Sequence, residues 1–267
     1  MYEAYWKLSD KPFSNTPNPR YLYLSAGHEE ALTRLLYAVA ERKGGMLLTG
    51  DYGCGKTLAS RVLLRELSPA RHEMAIVTNP NLSPTELLHE ILYQFGVPVR
   101  SDASKSALVH KMEAFVRACE GADRHPVLVI DEAQMVRTLE ALEELRLLLN
   151  MQRDDRFLLT LILMGQPELR TLVERLPQLK QRLTLRHHLG PLEETETVAY
   201  IRHRMARAGA RDTVITPEAE RAIHNASGGV PREINSCADL ALLVGSGREA
   251  QAIDAELVWE VVQDMAA

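Results

Sequence analysis

Residues 46–57, MLLTGDYGCGKT, decide the fold class of this 267-residue chain. The apolar stretch at 46–49 predicts a buried strand, and it leads directly into Gly50–Thr57, which fits the pattern G-x-x-x-x-G-K-[ST]. A helix is predicted to follow, from about Lys56 to Leu67. The pattern therefore lies between a strand and a helix, which is the context in which such a loop binds phosphate groups.

The residue types of this loop suit phosphate binding. Its glycines allow the backbone to curl, so that successive N–H groups and the helix N-terminus point at phosphate oxygens. Lys56 is predicted to reach the β- and γ-phosphates, and the Thr57 hydroxyl to bind Mg²⁺. The alternative is a glycine-rich turn that carries Lys-Thr by chance. The predicted nucleotide-binding residues of this segment are Gly50, Asp51, Tyr52, Gly53, Cys54, Gly55, Lys56, Thr57 and Leu58.

A second motif, VLVIDE at residues 127–132, combines a buried strand with two acids at its C-terminal end. Ligands bind at the C-terminal ends of strands in open α/β sheets. Asp131 is predicted to hold Mg²⁺, and Glu132 to orient and polarise the attacking water. The alternative is a strand followed by an acidic helix cap.

Gln166 lies at the tip of another apolar strand, predicted at residues 157–164. Its amide is in position to contact water or a γ-phosphate if this strand is a neighbour of the acidic strand. The alternative is a polar turn residue before Pro167.

Strand-like and helix-like stretches alternate through the first two thirds of the chain, and only helical patterns follow residue 192. Unbroken apolar strands indicate a parallel sheet with helices on both faces. The predicted organisation is an extended N-terminal arm at 1–24 that lies along an α/β nucleotide-binding domain at 25–190, and a small all-helical lid domain at 191–267.

Composition restricts the class of protein. With 46% hydrophobic and 25% charged residues, the chain is expected to fold by itself, and its net charge of -5 argues against a generally basic nucleic-acid coat. No apolar run approaches the roughly 18–20 residues of a membrane span, so none is predicted, and a cytoplasmic location is expected. The three cysteines are widely spaced and are expected to be reduced thiols. Cys54 lies inside the loop near a helix N-terminus, surroundings that lower the pKa of a thiol, so its modification is expected to weaken nucleotide binding and ATP is expected to protect it. The alternative is that Cys54 merely fills a tolerant position of the motif.

Taken together, the segments TPNPRYLYLS, GDYGCGKT, VLVIDEAQ, LILMGQPEL, QRLTLRHHLGPL and GGVPREINSCADLALL resemble, in order, those of the AAA+ ATPases of the general secretion pathway, the ExeA-like family. The likeness covers almost the whole chain and implies a P-loop NTPase fold of the AAA+ type. It implies ATP and Mg²⁺ as cofactors and a homo-oligomer, either a ring or a helical assembly. Gln166 then resembles the sensor-1 residue, Arg182 the arginine finger that acts on a neighbouring subunit, and Arg232 the sensor-2 arginine of the lid. Arg175 and Arg186 remain alternatives for the finger.

Three functions are compatible with this resemblance. The favoured one is an ATPase that drives assembly of a secretion, pilus or exopolysaccharide apparatus, with an unidentified envelope or apparatus protein as its partner. The alternative is a DNA-binding transposition regulator of the TnsC/TniB type, which needs a row of basic residues facing duplex DNA. A nucleotide-gated binding module with little hydrolysis is the third. The candidate basic row, diluted by acidic neighbours, is Arg137, Arg146, Arg153 and Arg156.

Overall fold

The contacts in the computed structural model divide the chain into two compact units. The α/β unit contains His28–Asp51 and Lys56–Leu189, and the helical unit contains Met1–Gly27, Tyr52–Gly55 and Gly190–Ala267. The structure describes residues 1–16 and 18–266, so Pro17 of the predicted arm and Ala267 of the predicted lid lie outside the described residues.

The α/β unit is built on a parallel sheet, which confirms the predicted fold class. Among the described residues the sheet has five strands, in the order β2-β3-β4-β1-β5. Every residue of β1, β3 and β4 is buried, so both faces of the sheet are covered. The strands are β1 Gly45–Gly50, β2 His72–Val77, β3 His125–Ile130, β4 Thr160–Gly165 and β5 Leu183–Leu189.

Helices begin close to where the sequence predicts them. The sequence Ser83-Pro84-Thr85-Glu86 is typical of a capping box, and this box is present at the start of helix α4, Pro84–Gln94, because Ser83 and Glu86 each accept a hydrogen bond from the backbone N–H of the other. Two short 3₁₀ turns lie at Pro19–Tyr21 and Ala133–Met135. The α-helices of the described residues are α1 Tyr2–Tyr5, α2 Ala26–Ala40, α3 Lys56–Glu66, α4 Pro84–Gln94, α5 Lys105–Gly121, α6 Leu139–Leu148, α7 Glu168–Glu174, α8 Pro177–Arg182, α9 Glu194–Arg207, α10 Pro217–Ser227, α11 Pro231–Gly247 and α12 Ala255–Ala266.

The N-terminal segment differs from the expected extended arm along the α/β domain. It contains α1 and a 3₁₀ turn, and its contacts place it with the helical unit. The reason is its aromatic content, because Tyr2, Trp6 and Phe13 are buried in the core formed by α9–α12. The Trp6 indole also donates a hydrogen bond of 2.9 Å to the carbonyl of Leu242. The segment is therefore part of the helical unit's core.

A buried arginine joins the same segment to α9. The Arg204 guanidinium is only 5% exposed and donates hydrogen bonds to the Tyr200 hydroxyl, to Asn235 Oδ1 and to the carbonyl of Ser14, at 2.6, 2.7 and 3.0 Å. It also lies 5.9 Å from the ring centroid of Phe13. These contacts fix the segment after α1 on the helical unit.

A buried histidine makes the α/β unit sensitive to acid. His125, at the start of β3, lies with Nε2 2.8 Å from Thr160 Oγ1, and burial lowers its pKa from 6.5 to about 3. Between these values the unfolded chain binds the extra proton, so stability is lost as the pH falls below 6.5. At pH 5 the loss amounts to about 2 kcal/mol.

We expect His125→Gln to remove most of this sensitivity, since an amide does not titrate. The measurement is the free energy of unfolding in urea at pH 7 and pH 5. The wild type should lose about 2 kcal/mol more than the variant over this interval. Equal losses in the two proteins would contradict the assignment.

Candidate functional site

The loop after β1 has the backbone conformation that its glycines allow. Gly53 and Gly55 have φ values of +84° and +94°, in the region that side chains other than glycine rarely adopt. Helix α3 begins at Lys56, immediately after the loop. The sequence therefore places a helix N-terminus directly behind a tight glycine turn, as a phosphate-binding loop requires.

Lys56 is buried at this edge of the sheet. Its side chain is largely inaccessible, with the residue 6% exposed, and Nζ donates hydrogen bonds of 2.7 Å to the Gly50 carbonyl and 2.9 Å to the Asp51 carbonyl. Carbonyl oxygens are the acceptors that an ammonium group requires. These two hydrogen bonds therefore fix the Lys56 ammonium next to the start of the loop.

Asp131 connects the loop region to β3. Its Oδ2 accepts a 3.0 Å hydrogen bond from the Thr57 hydroxyl, and its Oδ1 accepts one of 2.9 Å from the Glu132 backbone N–H. Burial raises the pKa of Asp131, while these two hydrogen bonds oppose the shift. The hydroxyl and the carboxylate are the hard oxygen donors that Mg²⁺ prefers, so this pair fits a magnesium ion.

Glu132 follows Asp131 at the C-terminal end of β3. Its φ of +50° lies in the left-handed region, which is uncommon for a residue with a side chain. Its Oε2 accepts a 2.5 Å hydrogen bond from Gln134 Nε2. The carboxylate is thus held by its own backbone conformation and by a neighbouring amide.

Gln166 follows β4, the direct neighbour of β3 in the sheet. Its backbone N–H donates a 3.1 Å hydrogen bond to Gln134 Oε1. The structure therefore connects Gln166 and Glu132 through Gln134, a residue that the sequence analysis did not assign to the site. The available signal was its place in the segment VLVIDEAQ, two residues after Glu132.

Arg182 lies at the other end of the sheet. It precedes β5, whose register pairs Leu183 with Gly45 and Leu189 with Gly50. The phosphate-binding loop starts at Gly50, so the length of the strand, about 20 Å at 3.3 Å per residue, separates Arg182 from it. The Arg182 guanidinium instead donates a 2.8 Å hydrogen bond to Gln152 Oε1.

The two alternative arginines for the finger lie elsewhere in the α/β unit. Arg186 donates a 2.8 Å hydrogen bond to the Lys180 carbonyl from within β5. Arg175 is exposed at the C-terminal end of α7.

Within the helical unit, Arg232 and loop residue Tyr52 form a cation–π pair. The guanidinium lies 4.2 Å from the ring centroid, and Tyr52 is otherwise 61% exposed. A Cβ on Gly53 would come within 2.8 Å of Arg232 Cβ, so the loop requires glycine here for close approach as well as for its φ. Arg232 is the second residue of α11, in the first turn of the helix.

Two other loop-region residues are buried to different extents. Leu58 is half-buried in the first turn of α3. Cys54 is 0% exposed, so its thiol is shielded from reagents in this loop conformation. Buried thiols are inert to reagents until the structure around them opens.

The basic row proposed for DNA binding is largely neutralised within the α/β unit. Arg153 and Arg156 both pair with Glu120, and Arg146 pairs with Glu143. Arg137 donates a hydrogen bond to Asn81. Arginines already paired with carboxylates have less charge to offer to phosphate groups.

Comparison with known proteins identifies the family. A family model described as an AAA domain matches residues 39–173, about half of the chain. The chain belongs to this family. General secretion pathway protein A of Aeromonas hydrophila is 41% identical over 255 residues, which cover 95% of this chain and 46% of the relative. The resemblance to the AAA+ ATPases of the general secretion pathway is thereby confirmed, and the chain spans less than half the length of this relative.

Solved structures agree on the fold. The Aeropyrum pernix ORC2 protein, solved with ADPNP and ADP, has a TM-score of 0.72 and 19% identity over 96% of this chain and 71% of that one. Drosophila ORC bound to DNA has a TM-score of 0.74 and 17% identity over 96% and 64% of the two chains. The Thermotoga maritima RuvB branch migration motor has a TM-score of 0.61 and 18% identity over 91% and 72% of the two chains.

In the part of the chain that the structure describes, no helix is long and apolar enough to cross a bilayer.

Proposed function

We propose that this AAA protein binds and hydrolyses ATP with Mg²⁺, oligomerises on ATP, and drives assembly of a secretion, pilus or exopolysaccharide apparatus from the cytoplasm. The observation that supports hydrolysis best is the convergence of Lys56, Thr57, Asp131 and Glu132 at the C-terminal ends of β1 and β3. In this proposal residues 191–267 act as a lid for the nucleotide-binding domain at 25–190, and Arg232 senses the nucleotide from that lid.

The chemistry assigned to each residue follows from its donors and acceptors. Lys56 binds the β- and γ-phosphates with its ammonium, and the residues that would hold Mg²⁺ are Thr57 and Asp131. Held there, Mg²⁺ would supply positive charge that offsets the negative charge of the phosphates. Glu132 orients the attacking water and accepts its proton at the carboxylate, and Gln166 contacts the water or the γ-phosphate.

The position of Arg182 supports an oligomeric enzyme. A residue about 20 Å from its own phosphate-binding loop can stabilise transition-state charge only in another subunit. As a finger it would therefore complete a neighbour's site, so hydrolysis would require assembly. In the part of the chain that the structure describes, Cys54, Cys119 and Cys237 form no disulfide, which agrees with a reducing compartment such as the cytoplasm.

The apparatus is favoured over DNA as the client. The relative that is 41% identical to this chain is a secretion-pathway protein, whereas Drosophila ORC bound to DNA, at 17% identity, is similar to it in fold alone. The pairing of Arg153 and Arg156 with Glu120 further weakens the proposed DNA-binding row.

We expect ATPase activity and oligomer size to respond to a purified envelope component of the apparatus and not to duplex DNA. Stimulation by DNA alone would favour the transposition regulator instead.

The test of hydrolysis is Glu132→Gln. The variant should bind ATP and Mg²⁺ normally but hydrolyse with kcat lowered about 100-fold, because an amide cannot accept the proton of the attacking water. Steady-state phosphate release and ATP binding by calorimetry measure the two effects. Glu140→Gln, at an exposed position of α6, is the matched control and should leave kcat unchanged. Wild-type kcat in Glu132→Gln would refute the assigned role.

A further inference from the structure

A single amide joins the two strand ends that carry Glu132 and Gln166. Gln134 Nε2 donates to Glu132 Oε2 at 2.5 Å, and Gln134 Oε1 accepts from the Gln166 backbone N–H at 3.1 Å. Gln134 lies in the 3₁₀ turn after β3 and is half-buried. Its donor side and its acceptor side are therefore both in use, on two neighbouring strands.

We infer that Gln134 is a positioning residue for ATP hydrolysis, which holds the Glu132 carboxylate in the orientation that receives the proton of water. The inference rests on the proposed function, because Gln134 makes no contact with ATP and acts only if Glu132 accepts the proton of the attacking water. Gln134 acts through Glu132, and it connects that carboxylate to the backbone of Gln166. Without the hydrogen bond from Gln134, the orientation of the carboxylate would depend on the rotamer preference of Glu132 alone.

The surroundings fix which way the amide faces. The Gln166 N–H can be met only by an acceptor, and a carboxylate oxygen only by a donor, so the amide has one orientation that satisfies both. Gly165 leaves the space for it, because a Cβ at this position would overlap Gln134 Oε1. The ends of β3 and β4, together with Gly165, therefore fix the Gln134 side chain that contacts Glu132.

The chemical effect of this hydrogen bond is orientation. One carboxylate oxygen, Oε2, accepts from the amide, so in this proposal Oε1 is the oxygen that receives the proton of water. A long acidic side chain without such a partner samples several rotamers, and only a fraction of them present the base to the reacting water. Loss of the amide should therefore lower the rate of hydrolysis and leave the binding of the phosphates by Lys56 unchanged.

The first test is Gln134→Met, which keeps the length of the side chain and removes both hydrogen bonds. We expect kcat to fall about tenfold, with the Kd for ATP unchanged within twofold. Gln94→Met is the matched control, since Gln94 also donates to a glutamate, Glu90, at 2.7 Å, but on the exposed surface of α4. This control should keep wild-type kcat. Wild-type kcat in a folded Gln134→Met protein would overturn the inference.

Gln134→Glu serves as a second variant if Gln134→Met does not fold. It preserves the shape and the acceptor for the Gln166 N–H but places a second carboxylate beside Glu132 in place of the donor. We expect kcat to fall here at least as far as in Gln134→Met, with ATP binding retained. Unchanged kcat would again overturn the inference.

A double-mutant cycle separates positioning from a merely structural role. In the Glu132→Gln background, Gln134→Met should lower kcat by less than twofold, because the carboxylate that Gln134 orients is absent. A full tenfold loss in that background would overturn the inference. If Glu132→Gln itself keeps wild-type kcat, the proposed function and this inference both fall. If Glu132→Gln is inactive and Gln134→Met is not impaired, this inference alone falls.

Discussion

Lys56→Ala should bind ATP about 10³-fold more weakly than the wild type, because truncation removes a buried ammonium whose orientation is already fixed. In the structure the residue is 6% exposed, and its Nζ is held by the Gly50 and Asp51 carbonyls. No other lysine side chain occupies the described loop segment or the first turn of α3. The Kd for Mg-ATP, measured by calorimetry or with a fluorescent analogue, gives the size of the effect.

The variant must remain folded for this result to carry meaning. Circular dichroism and the urea midpoint should show the same helix content, since alanine favours the first turn of α3 as well as lysine does. Lys111→Ala, at an exposed position in α5, is the matched control and should keep the wild-type Kd. An undiminished affinity for ATP in folded Lys56→Ala protein would contradict the assignment of the phosphate-binding site.

Features that depend on local sequence could be predicted well. The start of α3 follows from the glycine loop, and the start of α4 follows from the capping box of Ser83 and Glu86. The strands β1 and β3 each contain an apolar run, and both are buried over their whole length. In these segments the residues that decide the structure are close together in the chain.

Features that depend on tertiary contacts could not be predicted from the sequence. The strand β5 has the sequence LTLRHHL, and its partly exposed, charged residues give no apolar run, since it lies at the edge of the sheet. The glycines at 245–247 indicate a break, yet α11 continues to Gly247. Gly245 serves close packing instead, because a Cβ there would overlap the Ile253 side chain. The hydrogen bonds of Gln134 likewise require the β3–β4 neighbourhood, which no local pattern shows.

Arg182→Ala tests whether the site of one subunit is completed by the next. The variant should bind ATP with wild-type affinity, since the phosphate-binding loop lies at the opposite end of β5. Its hydrolysis should fall about 10³-fold, the usual effect of removing an arginine finger. Arg175→Ala, at an exposed position after α7, is the matched control and should stay active. Wild-type hydrolysis in Arg182→Ala, with loss in Arg175→Ala or Arg186→Ala, would transfer the role to one of those arginines.

Mixing two inactive proteins then decides whether Arg182 acts on a neighbouring subunit. An Arg182→Ala subunit retains Lys56 and can bind ATP, whereas a Lys56→Ala subunit retains Arg182 and can donate it. An equimolar mixture should therefore recover a measurable part of the wild-type activity, because some interfaces combine an intact loop with an intact finger. Cross-linking of the two differently tagged subunits shows whether mixed oligomers form. If mixed oligomers form and the mixture stays inactive, Arg182 does not act between subunits. Hydrolysis by the oligomer then does not depend on donation of Arg182 to a neighbouring site.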